Sequence, residues 1–204
     1  MTSIRPFRPG DEPALADICV KTADAGGDAT GLFRDDALWG DVFVVPYVAR
    51  HPELAFVVEA DDGRVIGYAV ATDDTEAFEA WFAATWWPGV ASRYPLAGAG
   101  ARERGTIEYA AARAPGREWH AQQYPAHLHI DLLPELQGQG FGRRLIDTLI
   151  GALEQAGAPA VHLAASSANA GASAFYPRVG FTPLPSEEGS RAFGRVLAPP
   201  KNTA

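Results

Sequence analysis

The chain has 204 residues, of which 47% are apolar, a single cysteine and a formal net charge of -8. This length is enough for one substantial α/β domain, or at most two small ones. The acidic balance argues against a nucleic-acid partner, whose binding surface would be basic. Because Cys19 stands alone, an internal disulfide and a thiolate zinc site are excluded. No run reaches the roughly 20 apolar residues of a membrane span, and no apolar leader is visible, so we expect a cytoplasmic protein without a membrane partner.

The first third of the chain predicts a strand, a helix and a hairpin. Residues 3–7 indicate a short strand, and the helix that follows has Asp11 as its cap and Pro13 near its first turn. Residues 54–60 and 64–72 are apolar runs on either side of the turn Asp-Asp-Gly. This pattern predicts two antiparallel strands joined by a tight turn.

A change of composition over about residues 74–125 predicts an insertion packed on the domain, because the segment is too short for a second domain. Six aromatic residues crowd its first half at helical spacing: Phe78, Trp81, Phe82, Trp86, Trp87 and Tyr94. We expect them to fill the core. A wall of an acceptor pocket or a contact in a homodimer is the alternative if part of them is exposed.

Strands and helices alternate regularly after the insertion. The predicted segments are strand 127–133, helix 141–157, strand 160–165, helix 169–180 and the apolar runs 181–184 and 191–197. No repeat or low-complexity linker divides the chain, so residues 1–198 are predicted to form one domain. Residues 199–204 are predicted to be a disordered tail.

The stretch QGQGFGRR separates strand 127–133 from helix 141–157. Such a strand–loop–helix unit directs backbone N–H groups and the positive end of a helix dipole at one spot, where anions bind. The dinucleotide pattern G-x-G-x-x-G fails because Arg143 occupies its third glycine position, and no Lys-Ser or Lys-Thr pair completes a GxxxxGK[ST] loop. The pattern Q-x-x-G-x-G fits at Gln137, Gly140 and Gly142. A tight turn without a ligand remains the alternative.

A second motif follows one strand later. It reads N-x-x-A-x-x-x-Y-x-x-x-G-F, with Asn169, Ala172, Tyr176, Gly180 and Phe181. In this order and spacing the two motifs resemble the GCN5-related N-acetyltransferase (GNAT) superfamily. The resemblance implies an α/β fold with a mixed, mostly antiparallel sheet, one splayed pair of parallel strands and flanking helices. It also implies acetyl-CoA as the cosubstrate.

A narrower resemblance covers roughly residues 40–200. The segments "HLHIDLLP", "FVVEADDGRVIGYAVATDD" and "AWFAATWWPGVASRYP" resemble the acetyltransferase-like domain attached to animal O-GlcNAcases. That domain is thought to lack the glycine loop and to be a pseudo-acetyltransferase. The present chain keeps the loop, which favours cofactor binding.

The superfamily resemblance implies roles for individual residues. Strand backbone near Leu132 and Leu133 would hold the pantetheine arm, and Asn169 would contact it or cap a helix. The pyrophosphate would meet the glycine loop. The implied cofactor-binding residues are Leu132, Leu133, Gln137, Gly138, Gln139, Gly140, Phe141, Gly142, Arg143, Arg144 and Asn169. Tyr176 would protonate the departing thiolate as general acid, or else serve as an aromatic anchor.

The general base is sought on strand 127–133, whose alternation places His127, His129 and Asp131 on one face. We expect Asp131 first and His129 second to take the proton of the amine, directly or through a water. A buried hydrogen-bond network is the alternative interpretation. The H-x-H-x-D pattern could chelate zinc, but the implied chemistry needs no metal, so no metal site is expected.

Together these features predict an acetyl-CoA-dependent N-acetyltransferase. The acceptor would be an amine-bearing small molecule or peptide that attacks directly in a ternary complex. Cys19 lies on the first predicted helix with no reason to face the cofactor, which disfavours a covalent enzyme intermediate. The alternative is a non-catalytic module that binds acetyl-CoA or a peptide.

Overall fold

The computed structural model describes residues 1–199, so residues 200–204 of the predicted tail lie outside it. The elements are β1 Ser3–Pro6, α1 Glu12–Val20, α2 Ala37–Phe43, α3 Val45–Arg50, β2 Ala55–Glu59, β3 Val65–Thr72, α4 Thr75–Trp81, α5 Trp87–Val90, α6 Ala101–Ala112, β4 Ala126–Leu132, α7 Phe141–Gln155, β5 Ala160–Ser166, α8 Ala170–Arg178, β6 Thr182–Leu184 and β7 Ser190–Val196. The elements predicted from the sequence are present within a few residues of their expected bounds. Helices α2 and α3, which the sequence patterns did not reveal, are additional.

The strands form one sheet in the order β1-β2-β3-β4-β5-β7-β6. Five of the neighbouring pairs are antiparallel, and β4 and β5 are parallel. Within the described residues, the parallel ladder joins only Ala126 to Val161 and His127 to His162. Beyond these pairs the two strands diverge, which leaves the β5-facing edge of β4 without a strand partner. The predicted α/β fold with a splayed parallel pair is confirmed.

Helix α7 covers one face of the sheet. Its buried residues recur every three or four positions, as expected for a helix with one apolar face: Leu145, Ile146, Leu149, Ile150 and Leu153. Burying each such side chain contributes about 1.5–3 kcal/mol. This face of the helix therefore fixes α7, and with it the glycine loop before it, against β2, β3 and β4.

Helices α1, α2 and α3 and the insertion cover the opposite face. Phe78 and Phe82 are fully buried, and Trp87 and Tyr94 nearly so, while Trp81 and Trp86 are partly buried against the same core. A five-residue π-helical turn, Phe82–Trp86, joins α4 to α5. The aromatic residues of the insertion thus fill this second core.

A buried ion pair ties the insertion to the domain. Arg113, just after α6, donates from Nε to Glu79 Oε2 at 2.9 Å, and its Nη1 donates to the Val42 carbonyl at 3.0 Å. The side chains of Arg113 and Glu79 are each only 4% exposed. The guanidinium also lies 4.0 Å from the ring centroid of Phe82. Since every partner of this charge lies on a different element, the pair fixes α6 relative to α4 and α2.

Candidate active site

A cleft of about 590 Å³ opens where β4 and β5 diverge. We call it the glycine-loop cleft. It is walled by the end of β4, the loop before α7, helix α8 and the turn after α1. Nine of the predicted catalytic and cofactor-binding residues line it: Asp131, Leu132, Gln137, Gly138, Gly140, Gly142, Arg143, Asn169 and Tyr176.

The loop owes its shape to two glycines with left-handed backbone. Gly138 has φ +76° and Gly140 has φ +80°, a region that costs other residues about 1–2 kcal/mol. A Cβ at either position would meet no atom within 4 Å. Glycine is therefore favoured by the backbone conformation at both positions, and the space in front of both residues is open. Gly140 is also the N-cap of α7, whose first N–H groups lack intrahelical partners.

Gly142 has a different reason to be glycine. A Cβ there would lie 3.2 Å from Leu132 Cδ1 and 3.2 Å from Phe175 Cζ. These contacts are tighter than ordinary packing allows, so Gly142 lets α7 approach both β4 and α8. The width of the glycine-loop cleft therefore depends on Gly142 as well as on the loop glycines.

The two arginines after the loop point to different places. Arg143 lines the glycine-loop cleft and donates from Nη2 to the Arg178 carbonyl at 2.6 Å, which links α7 to the end of α8. The Arg144 guanidinium instead lies 4.7 Å from the ring centroid of Phe141, outside the cleft. Of these two arginines, Arg143 is the one placed where it could meet an anion bound at the loop.

Three more of the predicted cofactor-binding residues lie outside the cleft. The backbone N–H of Leu133 donates a hydrogen bond to the Ile66 carbonyl at 3.1 Å. Gln139 donates from Nε2 to the Glu135 carbonyl at 2.6 Å. Phe141 is 7% exposed and belongs to the α7 core. In this conformation their side chains support the loop rather than face the cleft.

Three residues of the second motif, Asn169, Ala172 and Tyr176, line the cleft from α8 and its N-cap. Asn169 caps this helix, because its Oδ1 accepts from the Ala172 N–H at 2.9 Å. Tyr176 packs its ring against Phe181 and Phe193, and within residues 1–199 its hydroxyl has no hydrogen-bond partner and is open to the cleft. Burial, and to a lesser degree the charge of Asp131, raises the pKa of Tyr176. The phenol therefore holds its proton at neutral pH.

Asp131 lies on the same cleft, opposite Tyr68 in the ladder between β3 and β4. The Tyr68 hydroxyl donates a hydrogen bond to Asp131 Oδ2. Burial raises the pKa of Asp131 above its usual value, while the hydrogen bond from Tyr68 lowers it in part. Sequence reasoning missed Tyr68, although hairpin alternation places it on the Asp131 side of the sheet.

Cys19 lies near this pair but is sealed in the core. It is 1% exposed. Burial, and next the negative charge of Asp131, raises the pKa of the Cys19 thiol well above its usual value. Because the thiolate is the nucleophilic form, this cysteine is not activated.

A second cavity, of about 280 Å³, lies along the same gap between β4 and β5. We call it the insertion cavity, because Glu79, Tyr109, Arg113 and Glu118 of the insertion form one wall. Burial, and next the charge of Glu79, raises the pKa of Glu118. Leu128 and His129 line this cavity, whereas Ile130, Asp131 and Leu132 line the glycine-loop cleft. Consecutive residues of one strand thus border two adjoining spaces.

His129 belongs to the insertion cavity. Its Nε2 lies 3.0 Å from the Tyr47 hydroxyl. Burial, and next the charge of Arg113, lowers the pKa of His129 to about 3, so the ring is neutral at physiological pH. Asp131 and His129, predicted together as candidate bases, therefore face different spaces.

In the part of the chain that the structure describes, no three His, Cys, Asp or Glu side chains are grouped so as to hold a metal ion. No helix within residues 1–199 has the length and apolar character needed to cross a membrane.

Comparison with known proteins identifies the family. Residues 28–181 match the Acetyltransferase (GNAT) family. The crystal structure of SsHAT is 40% identical and covers 97% of this chain and 98% of that chain, with a TM-score of 0.87.

More distant structures share the fold. A GNAT superfamily phosphinothricin acetyltransferase from Sinorhizobium meliloti, solved in complex with acetyl-CoA, is 16% identical, with a TM-score of 0.56 over 100% of this chain and 95% of that chain. The structure of yncA from Salmonella typhimurium, solved with its cofactor acetyl-CoA, is 18% identical, with a TM-score of 0.57 over 97% of this chain and 95% of that chain.

Acetyl-CoA is the cosubstrate of this family. The glycine-loop cleft fits it, because open left-handed glycines, a helix N-terminus and an unpaired strand edge converge there. The predicted cosubstrate and the superfamily resemblance are both confirmed. The chain belongs to the GNAT acetyltransferase family.

Proposed function

We propose that this chain is an N-acetyltransferase that transfers the acetyl group of acetyl-CoA to an amine-bearing small molecule or peptide. The observation that carries the proposal is the pair of spaces along the β4–β5 gap. One has the features of a coenzyme A site, and the other is lined by polar and aromatic groups. Two substrates held on the two sides would meet in the gap, which supports direct attack in a ternary complex.

The glycine-loop cleft would hold the cosubstrate through groups of this chain alone. Backbone N–H groups of the loop and the first turn of α7 would receive the pyrophosphate, with Arg143 beside them. The unpaired edge of β4 would receive the pantetheine arm. When bound, acetyl-CoA supplies a thioester whose sulfur must take up a proton as the acetyl group leaves.

Asp131 is the preferred base. A carboxyl group with a raised pKa takes a proton more effectively near neutral pH than one with its ordinary value. Its Oδ2 is held by Tyr68, which fixes the direction of the other oxygen. His129, whose pKa is depressed to about 3, is too weak a base to retain a proton. Its role would be to accept a hydrogen bond from the amine.

Tyr176 is the preferred acid. Its hydroxyl is protonated, has no partner within residues 1–199 and opens on the cleft that Asp131 also lines. A base and an acid with opposite tasks therefore border one space. Every group in this proposal lies on one chain, so a homodimer is not required for chemistry.

The alternative is a non-catalytic module that binds acetyl-CoA or a peptide, as the resemblance to the O-GlcNAcase-attached domain suggests. Incubation with acetyl-CoA and a panel of amines separates the two. The panel would contain lysine peptides, amino sugars, aminoglycosides and polyamines, scored by coenzyme A release and mass spectrometry. Transfer that is lost in Asp131→Asn and Tyr176→Phe supports the enzyme. Binding of acetyl-CoA without any acetylated product contradicts it.

A further inference from the structure

Four polar side chains form a continuous hydrogen-bonded row behind the insertion cavity. Thr75 Oγ1 lies 2.8 Å from His127 Nδ1, and His127 Nε2 lies 2.6 Å from the Tyr47 hydroxyl. The same hydroxyl lies 3.0 Å from His129 Nε2. Thr75, Tyr47 and His127 are at most 8% exposed, and only His129 reaches partly into the open.

The direction of every hydrogen bond in this row follows from its inner end. Thr75 Oγ1 lies 2.6 Å from the Pro125 carbonyl, which carries no proton, so the single hydroxyl proton of Thr75 must point to that oxygen. Thr75 can then only accept from His127, which places a proton on His127 Nδ1. Burial lowers the pKa of His127 well below its usual value, so the ring is neutral and its Nε2 is bare.

The outer half of the row follows in the same way. The bare Nε2 of His127 must accept the only proton of Tyr47, so the Tyr47 oxygen can offer nothing but a lone pair to His129. His129 is therefore protonated on Nε2 and bare on Nδ1. Within residues 1–199 the one fully buried side-chain polar atom without a partner is Ser173 Oγ. His129 Nδ1 also has no partner within these residues, but it is not a fully buried atom. It therefore has open space beside it.

We infer that Thr75, His127 and Tyr47 are positioning residues that hold His129 as its Nε2–H tautomer and so present a bare Nδ1 to the insertion cavity. This atom fits a ligand that donates a hydrogen bond, such as an amine or ammonium group. The identity of that ligand as the acetyl acceptor rests on the proposed function. The tautomer itself depends only on the row. Without the row, the neutral imidazole of His129 would exchange its proton between its two ring nitrogens. The tautomer with the proton on Nδ1 could not accept a hydrogen bond at that atom.

The test is the nitrogen NMR spectrum of histidine side chains in the full chain labelled with ¹⁵N-histidine. Protonated and bare ring nitrogens have well-separated shifts, and His129→Gln and His127→Gln assign the signals. We expect His127 to carry its proton on Nδ1 and His129 on Nε2. A protonated Nδ1 in His129 of the unaltered protein would overturn the inference.

Two substitutions at the far end test whether the row imposes the tautomer. Thr75→Val removes the hydroxyl at nearly constant volume, whereas Thr75→Ser keeps it. We expect Thr75→Ser to preserve both tautomers and Thr75→Val to give a mixture at both histidines. If folded Thr75→Val shows unchanged tautomers at both histidines, the positioning role of Thr75 is contradicted. Tyr47→Phe, which breaks the row at its centre, should give the mixture at His129.

The outcome can be separated from that of the proposed function, because the spectra are recorded without substrates. Thermal stabilisation by acetyl-CoA in Thr75→Val shows that the glycine-loop cleft is intact. The expected tautomers together with no acetyl transfer would contradict the proposed enzyme function and support the positioning role of the row. Acetyl transfer together with a protonated Nδ1 in His129 would support the enzyme function and contradict the positioning role.

Discussion

Replacing Gly140 by aspartate places a carboxylate where the structure supports binding of the pyrophosphate. Gly140 has φ +80° and no atom within 4 Å of a Cβ, and aspartate tolerates this conformation better than most residues. The substitution therefore leaves the fold nearly intact while it adds a negative charge in front of α7. Gly157, at the other end of α7, has φ +85° and equally open surroundings. Gly157→Asp is thus a matched control.

The size of the effect follows from linkage and from Coulomb's law. Acetyl-CoA at about 100 times its dissociation constant should stabilise the native protein by about 2.7 kcal/mol, which for a chain of this length is roughly 5–10 °C. Two unit charges near a protein surface interact by about 4 kcal/mol at contact distance, less in salt. A repulsion of one third of that value already weakens the binding of acetyl-CoA about tenfold. At the same ligand concentration the stabilisation would fall to about 1.4 kcal/mol, or roughly 3–6 °C.

The assay is thermal unfolding of the native chain, Gly140→Asp and Gly157→Asp, each with and without acetyl-CoA. We expect the acetyl-CoA-induced shift to shrink by half or more in Gly140→Asp and to stay unchanged in Gly157→Asp. Raising the salt concentration should recover part of the loss. An undiminished shift in Gly140→Asp would refute the assignment of the glycine loop as the pyrophosphate site.

Three further predictions concern the proposed chemistry and the buried ion pair. Tyr176→Phe should lower kcat about 10²–10⁴-fold, as for loss of a general acid, with acetyl-CoA affinity nearly unchanged by calorimetry; an unchanged kcat would remove its acid role. Tyr68→Phe removes a hydrogen bond that lowers the pKa of Asp131, so this pKa should rise. The acidic limb of the pH profile of kcat/KM should then move to higher pH, and a limb that stays in place or moves to lower pH contradicts Asp131 as base. Arg113→Met leaves the Glu79 carboxylate buried without its partner and should lower the free energy of unfolding by about 3–5 kcal/mol, or roughly 6–20 °C in Tm. Adding Glu79→Gln should recover part of this loss, whereas an unchanged Tm in Arg113→Met would show that the pair is not needed for stability.

The sequence predicted those parts of the fold that local patterns encode. The hairpin of β2 and β3, the strand before the glycine loop and helix α7 follow from alternation, turn residues and a regular apolar stripe. Helices α2 and α3 were missed. They are only seven and six residues long, and they meet at Val44, whose φ of -138° interrupts the helical pattern. Short helices of this kind are stabilised by tertiary packing rather than by propensity.

The candidate site was predictable where a motif carried it and not where contacts between distant segments formed it. The glycine loop and Tyr176 belong to motifs with fixed spacing, and both line the same cleft. Tyr68 is 63 residues from Asp131, and Tyr47 is 80 residues from His127. Their hydrogen bonds depend on the register of the sheet and on how α3 packs against it. The division between Asp131 and His129 likewise depends on the divergence of β4 and β5.

The measurement that tests the central claim most directly is acetyl transfer itself. The native chain and Tyr176→Phe would be incubated with acetyl-CoA and the amine panel, with coenzyme A release and acetylated product quantified together. The account predicts that at least one amine is acetylated in equal amount to the coenzyme A released, and that Tyr176→Phe slows this reaction at unchanged acetyl-CoA affinity. Tight binding of acetyl-CoA with no acetylated amine and no coenzyme A release above the uncatalysed rate would contradict it, and the chain would then be a binding module.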